Sequence, residues 1–313
     1  MVGERLVGLA RVLDDSELVA FVHYVLVHPE YQGQKIAGNM VEYIRDKYKN
    51  YLYIEGMQED SKNVAFYERH GFHVMEGGTP IQICNLTETK MLDYSNENIK
   101  QLIRERKWSD MAEFERLKAI YTFVRDEILF GYNVDDSVPA SRVLRDGYGQ
   151  CNTKGTLFMA LLRACDIPCR VHGFTIDKKL QKGAMTGIVY RNAPQNVFHS
   201  WVEVYFENRW YELEAFILDM GYLKKLQAKY SECTGAFCGF GVAVKDFKNP
   251  VIDFDRNNTY IQSEGINQDF GVYDSPDELL KEHHQEMSRV KAFLYRNWGR
   301  HMMNRNVRKI RGK

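Results

Sequence analysis

Cys151 is the residue best placed to do chemistry. It closes the run 141–151, which ends Gly147-Tyr148-Gly149-Gln150-Cys151. It also opens 152–165, where Leu157, Leu161, Leu162 and Cys165 line one face of a helical pattern. Asn152 and Thr153 suit a first helical turn, so Cys151 is expected at a helix N-terminus. The partial positive charge there favours thiolate over thiol. Gly147 and Gly149 permit close backbone approach to a substrate, and Gln150 is a candidate to polarise an oxyanion beside the Cys151 backbone N–H.

Amide chemistry needs more than a thiolate. An imidazole must hold the proton and return it to the leaving amine. His199 is the candidate, in a stretch (197–206) that reads as a strand by alternation. Phe198, Val202, Val204 and Phe206 share a face suited to burial, and His199, Trp201 and Glu203 point the other way. Trp201 reads as wall rather than chemistry. The polar pair Glu207-Asn208 then turns the chain back through Arg209-Trp-Tyr-Glu-Leu-Glu214. A two-residue hairpin loop puts Trp201 opposite Glu214 and His199 on the diagonal. Glu214 can therefore fix the imidazole tautomer as a third member. Glu212, of the same parity, and nearby Asp219 are its rivals.

A second constellation lies near the start. His28-Pro-Glu-Tyr-Gln-Gly-Gln-Lys-Ile-Ala37 follows a predicted strand, 18–27, and opens a predicted helix, 36–48, striped by Ile36, Met40, Ile44 and Tyr48. Free backbone N–H groups at such a junction make an anion site. A short strand (51–55), a short helix (63–69) and a strand (72–76) complete this part. Residues 84–100 are polar and read as a linker, and a helix over 111–127 opens a second unit.

At 313 residues the chain has room for two domains. A composition of 44% hydrophobic and 27% charged residues is that of a folded globular chain, not a disordered one. Apolar runs such as 19–27, broken by His23, are too short to span a bilayer. The start shows no export signal, so a cytoplasmic location is expected. Six cysteines (84, 151, 165, 169, 233, 238) have no framework spacing and are expected reduced. Cys165 and Cys169 read as core. Cys233 and Cys238 lack a histidine pair, and no metal is expected. Residues 289–313 hold nine Lys or Arg and no acid, leaving 33 basic against 42 acidic residues elsewhere. The plain reading of this basic tail is a helix packed through Leu294, Trp298 and Met302, with no clear nucleic-acid partner.

Residues 139–219 resemble the transglutaminase-like superfamily, a papain-like thiol fold. The matching pieces are Gly149-Gln-Cys151 with its helix, Ile167-Pro-Cys-Arg-Val171, Phe198-His-Ser-Trp-Val202 and Trp210-Tyr-Glu-Leu-Glu214. The resemblance implies a catalytic set of Cys151, His199 and Glu214, with glutamate where the family usually has aspartate. Asn152 stands where a tryptophan often follows the cysteine. What is implied is acyl transfer from an amide, peptide or protein substrate through a thioester, with hydrolysis favoured over transamidation.

The segment 28–72 resembles the second half of a GNAT acetyltransferase. Gln32, Gly33, Gln34, Ile36 and Ala37 fit that family's acetyl-CoA loop, and Lys35 stands where it usually has glycine. Asn63-Val-Ala-Phe-Tyr-Glu-Arg-His-Gly-Phe72 fits its later motif, with Tyr67 at the position that can protonate a leaving thiolate. Acetyl-CoA is thus the implied cofactor of this part, and a docking domain without catalysis is the other reading. The expected fold is α+β: a partial GNAT-like α/β sheet (1–92), a transglutaminase-like α+β domain (93–288) and a basic helical tail (289–313). A binding protein that keeps the fold without the chemistry is the remaining alternative, and oligomeric state is open.

Overall fold

The computed structural model describes residues 5–16, 18–58, 61–75, 86–262, 264–285 and 287–312. The architecture is α+β, and the chain divides into two units, Met1–Gln82 and Ile83–Lys313.

In the first unit, β1 (Gly8–Asp14) pairs antiparallel with β2 (Val19–Val27), with a register shift between Arg11 and Val12. Helix α1 (Ile36–Lys47) then carries the chain over to β3 (Tyr53–Gly56), which lies parallel to β2. α2 (Val64–Arg69) follows. Ala20, Val22, Ile44 and Tyr48 are the buried centre, with Phe72 packed against them. The strand expected at 72–76 is absent from its described part, 72–75. The Phe72 N–H closes the end of α2 instead, donating to Tyr67 O at 3.1 Å, which takes it out of reach of a sheet partner. Residue 76 lies outside the described residues.

The second unit opens with α3 (Glu97–Arg106) and α4 (Glu113–Asp126). The two-residue strands β4 (Leu129–Phe130) and β5 (Tyr148–Gly149) pair in parallel around α5 (Ala140–Asp146). Next comes α6 (Cys151–Ala164), which packs on β6 (Cys169–Asp177) and β7 (Asn196–Phe206) and is flanked by α4 and α5. α7 (Gly187–Asn192) lies between those strands in sequence. β8 (Arg209–Leu213), α8 (Met220–Lys229), β9 (Phe237–Gly239), β10 (Val242–Val244), β11 (Ile266–Tyr273) and α9 (Pro276–Glu282) complete the body. The main sheet is antiparallel, in the order β11-β6-β7-β8.

Three expectations are corrected. α6 is not one-sided: residues 152–163 are all buried, Lys154 and Arg163 included. A helix between a sheet and two helices has no solvent side, so its cations must find partners inside. Lys154 Nζ donates to Arg125 O (3.1 Å) and Ile217 O (3.0 Å), and Arg163 reaches the carbonyls of Thr87 and Asp274. Next, the polar stretch 84–100 is no free linker over its described residues. Met91 and Leu92 are buried, and the Asp277 carboxylate accepts from the Met91 N–H. Thr89 and Asp93 bond to the fold as well, through Asp277 and Ser141.

The tail, finally, packs through the wrong face for the expected stripe. α10 (Arg289–Leu294) passes through a π turn, Tyr295–Gly299, into α11 (Arg300–Arg311). A wider turn rotates the face presented beyond it. Met303 and Val307 therefore enter the core, while Leu294, Trp298 and Met302 are exposed. Arg311, itself buried, forms an ion pair with Asp219 at 2.5 Å and donates to Phe130 O. No helix among the described residues is long and apolar enough to cross a membrane.

Burial lowers the Lys154 pKa from 10.5 to about 7. Between those values the unfolded chain binds a proton that the folded chain does not, so this group makes stability rise with pH from about 7 to 10.5 and adds no slope below 7. At about 1.36 kcal/mol per pH unit the rise is on the order of 5 kcal/mol. Lys154→Met should remove it, whatever constant cost the two orphaned carbonyls add. Urea-unfolding free energies of both proteins at pH 7 and pH 10 measure the difference in slope.

Candidate active site

The N-terminus of α6 is built by a short polar network. Cys151 is its first residue and Gln150 its N-cap. The Thr153 hydroxyl accepts from Gln150 N (3.1 Å) and donates to Asn133 Oδ1 (2.6 Å). Gly149 is required here by space: a Cβ would sit 2.7 Å from Thr153 Oγ1 and 3.0 Å from Lys154 Cγ. Gln150 Oε1 accepts from Asn133 N (2.9 Å), and Nε2 donates to Asp136 Oδ1 (3.0 Å). Both ends of that amide hold the 133–136 loop, which leaves one Nε2 hydrogen for a further acceptor.

The hairpin has the expected register. Phe206 pairs with Arg209 and Val202 with Leu213, across Glu207 and Asn208, which both take positive φ (48° and 61°). That is the left-handed pair a tight two-residue turn requires. The chain then delivers Glu214 to His199, and both side chains are buried (1% and 0% exposed). His199 Nε2 meets Glu214 Oε1 at 2.7 Å. Glu214 Oε2 accepts the backbone N–H groups of Ile261 and Gln262, each at 2.8 Å. Nδ1 of His199 is buried and has no hydrogen-bond partner, and Cys151 lies near enough to act on the ring electrostatically. Burial alone would depress the imidazole pKa. The Cys151 and Glu214 interactions outweigh it and raise the His199 pKa to about 10.

The rivals of Glu214 are otherwise engaged. Glu212 takes the Tyr260 hydroxyl, and Asp219 caps α8 through Tyr222 N while pairing with Arg311. Trp201 is buried as a wall: its ring lies 4.5 Å from Phe174, which sits 4.9 Å from the His199 ring. The face of β7 that carries it is buried as well, so the strand is covered on both sides.

Two features escaped the sequence reading: the contact that Asn152 makes and the presence of Asp136. Asn152 Oδ1 accepts from Ser200 Oγ at 2.8 Å, tying the residue after the cysteine to the residue after the histidine. Asp136 has its pKa raised by burial, against the lowering effect of its bonds from Gln150 and Asn152, and it lies within electrostatic reach of His199. Nothing in the one-dimensional pattern separates it from Asp135, which pairs with Arg296. The other thiols are poorer candidates. Burial raises Cys165 to about 11 and Cys169 to about 12, and raises Cys238 as well. Cys84 lies outside the described residues. Among the described residues no cluster could hold a metal.

The first unit has its own candidate site. Gly33 (φ 76°) and Lys35 (φ 62°) adopt left-handed conformations just before α1, and a Cβ on Gly33 would meet nothing within 4 Å. Gln32, Gly33 and Gln34 are exposed, and Ile36 and Ala37 form the first turn of the helix. Tyr67 lies in α2.

Residues 100–215 match the transglutaminase-like superfamily, and residues 1–74 match the acetyltransferase (GNAT) domain. YebA of Bacillus subtilis (strain 168) is 30% identical over 111 residues, which span 32% of this chain and 15% of that protein. Among solved structures, the GNAT family protein SP0256 of Streptococcus pneumoniae TIGR4 is 28% identical with a TM-score of 0.26, over 27% of this chain and 67% of that one. A proposed cysteine protease from Cytophaga hutchinsonii is 15% identical with a TM-score of 0.33, over 60% of this chain and 61% of that one.

Glu214→Gln removes the buried anion that helps hold the proton on His199. The His199 pKa should fall from about 10 by roughly 1–2 units. Ring-carbon NMR shifts of selectively labelled histidine, followed across pH 6–11, would read that fall.

Proposed function

We propose that the transglutaminase-like domain is a cysteine-dependent acyl-transfer enzyme acting on amide bonds, in a chain whose 100–215 segment belongs to that superfamily and whose 1–74 segment is GNAT-like. The observation that carries the reading is the state of the His199 ring: Nε2 is held by buried Glu214, Nδ1 is buried without a hydrogen-bond partner, and Cys151 at the head of α6 acts on the ring electrostatically.

In the proposed reaction the Cys151 thiolate attacks the amide carbonyl carbon and forms a C–S bond. The backbone N–H groups at the start of α6 are the donors nearest the developing oxyanion. The C–N bond breaks, and the nitrogen leaves with the proton held on His199 Nδ1. A thioester remains on Cys151. Water, or a second amine, gives a proton to His199 and attacks the thioester, and the thiolate departs. Glu214 holds the ring in one tautomer throughout. Asn152, committed to Ser200, supports hydrolysis over cross-linking, because no large aromatic ring follows the nucleophile to shape an amine-accepting wall.

The test is mass spectrometry of a casein digest incubated with the protein, with and without monodansylcadaverine. Deamidated glutamines, new peptide termini or amine adducts should form with wild type and fall at least about 10³-fold in Cys151→Ala and His199→Ala. Iodoacetamide should also modify Cys151 well below pH 7, ahead of the other cysteines. Alkylation of Cys151 only near the free-thiol value of about 8.5, unchanged in His199→Ala, together with none of the three products, would overturn the reading.

Acetyl-CoA binding by the first unit is a separable proposal. The open left-handed turn at Gly33 and Lys35 suits a phosphate, with Gln32, Gly33, Gln34, Ile36 and Ala37 around it. When bound, acetyl-CoA would supply an activated acetyl group. A saturable thermal shift with acetyl-CoA, lost in Gly33→Val, is expected. No shift at millimolar ligand counts against it.

A further inference from the structure

The C-terminal helical segment shows two opposite faces, and only one of them is explained by the fold. Inward, Met303 and Val307 belong to the core, with Tyr295 and Ile310 packed against it. Tyr295 Oη donates to Asn133 O (3.0 Å), and the Asn304 side chain clamps the Tyr132 backbone from both sides (2.7 and 3.0 Å). Outward, Val290, Phe293, Leu294, Trp298 and Met302 are each 46% to 69% exposed. The Phe293 and Trp298 rings meet edge-on, 6.0 Å apart. Five large apolar side chains on one helical face form a patch that water does not favour.

The charge around that patch is of one sign. Residues 289–313 contain nine Lys or Arg and no acid. Arg296 and Arg311 are paired within the fold. Among the described residues Lys291, Arg305, Arg308 and Lys309 have no carboxylate partner, and all four are exposed. The chain outside this segment carries the balancing acidic excess, so the cations are concentrated here rather than being typical of the surface.

We propose that this segment is a membrane-surface contact that seats on an anionic lipid headgroup layer. Val290, Phe293, Leu294, Trp298 and Met302 would enter the acyl boundary, and the free cations would lie among the headgroups. A helix with an aromatic and aliphatic face, a cationic flank and low overall hydropathy is suited to lie in such an interface. The inner face is spent on the core, so the segment cannot leave to fill a protein groove. A nucleic acid would use the cations but leave the apolar stripe in water. Arg296, in the π turn, pairs with Asp135 beside Asp136, so a docked helix would hold the Cys151 site close to the lipid surface.

The test is co-sedimentation of the full chain with large unilamellar vesicles of phosphatidylcholine, with or without 30% phosphatidylglycerol. Binding to the anionic vesicles should exceed binding to the neutral ones at least ten-fold in 50 mM salt and weaken in 500 mM. Phe293→Ser with Trp298→Ser should cost at least ten-fold in binding while leaving the melting temperature and Cys151 alkylation unchanged. In the wild type, Trp298 is the one strongly exposed tryptophan. Its emission should shift to the blue on binding and be quenched by brominated lipid. Absence of vesicle binding at low salt, equal binding to both vesicles, binding untouched by the double substitution, or binding of duplex DNA in place of vesicles would each overturn the proposal.

Discussion

A carboxylate buried beside an imidazole costs several kcal/mol unless its oxygens find donors, and Glu214 meets that requirement with three hydrogen bonds. Two come from consecutive backbone N–H groups, Ile261 and Gln262. Those groups arrive because the Glu214 N–H donates to Thr259 O and the Thr259 N–H to Glu212 O, adding a short parallel rung beside β8. Tyr121 in α4 fixes the same rung: its hydroxyl donates to Ile252 O (2.6 Å) and hydrogen-bonds with the Thr259 hydroxyl (3.1 Å). The path from α4 through residue 259 to Glu214 makes the orientation of His199 a property of the whole second unit.

The same logic governs α6. A helix that must present its first residue to a histidine on the sheet has to be held against sliding and rotation. Apolar packing supplies most of the attraction, but it is non-directional. The buried polar contacts supply the direction. Lys154 reaches two carbonyls of different segments, Arg163 reaches two more, and Asn152 reaches Ser200 on β7. Each would be costly if left unmet, so together they select one register for the helix.

The C-terminal segment extends this restraint to the loop in front of the thiol. Asn304 and Tyr295 grip residues 132 and 133, and residue 133 in turn holds Gln150 and Thr153. The cap of α6 is thus tied to a segment some 150 residues further along the chain. The π turn sets which side chains do the gripping, and it also leaves the apolar stripe outside.

Local physics made part of this readable from the residues alone. A glycine-rich turn before a strong helical pattern puts Cys151 at a helix start, because caps and 3.6-residue periodicity are short-range properties. A two-residue turn with both residues left-handed imposes one strand register, so the approach of Glu214 to His199 followed from counting. Other features had no local signature. Asp136 becomes part of the site only because a loop folds back on Gln150. The donors to Glu214 come from a segment without strand periodicity. α6 is buried all round because of what packs on it, and the tail turns its other face inward because one wide turn rotates it. Sequence by itself determined which residues stand at the ends and turns of elements, since those depend on neighbours within a few positions. Only the tertiary structure decided which distant polar groups meet, because burial makes unsatisfied partners costly wherever along the chain they lie.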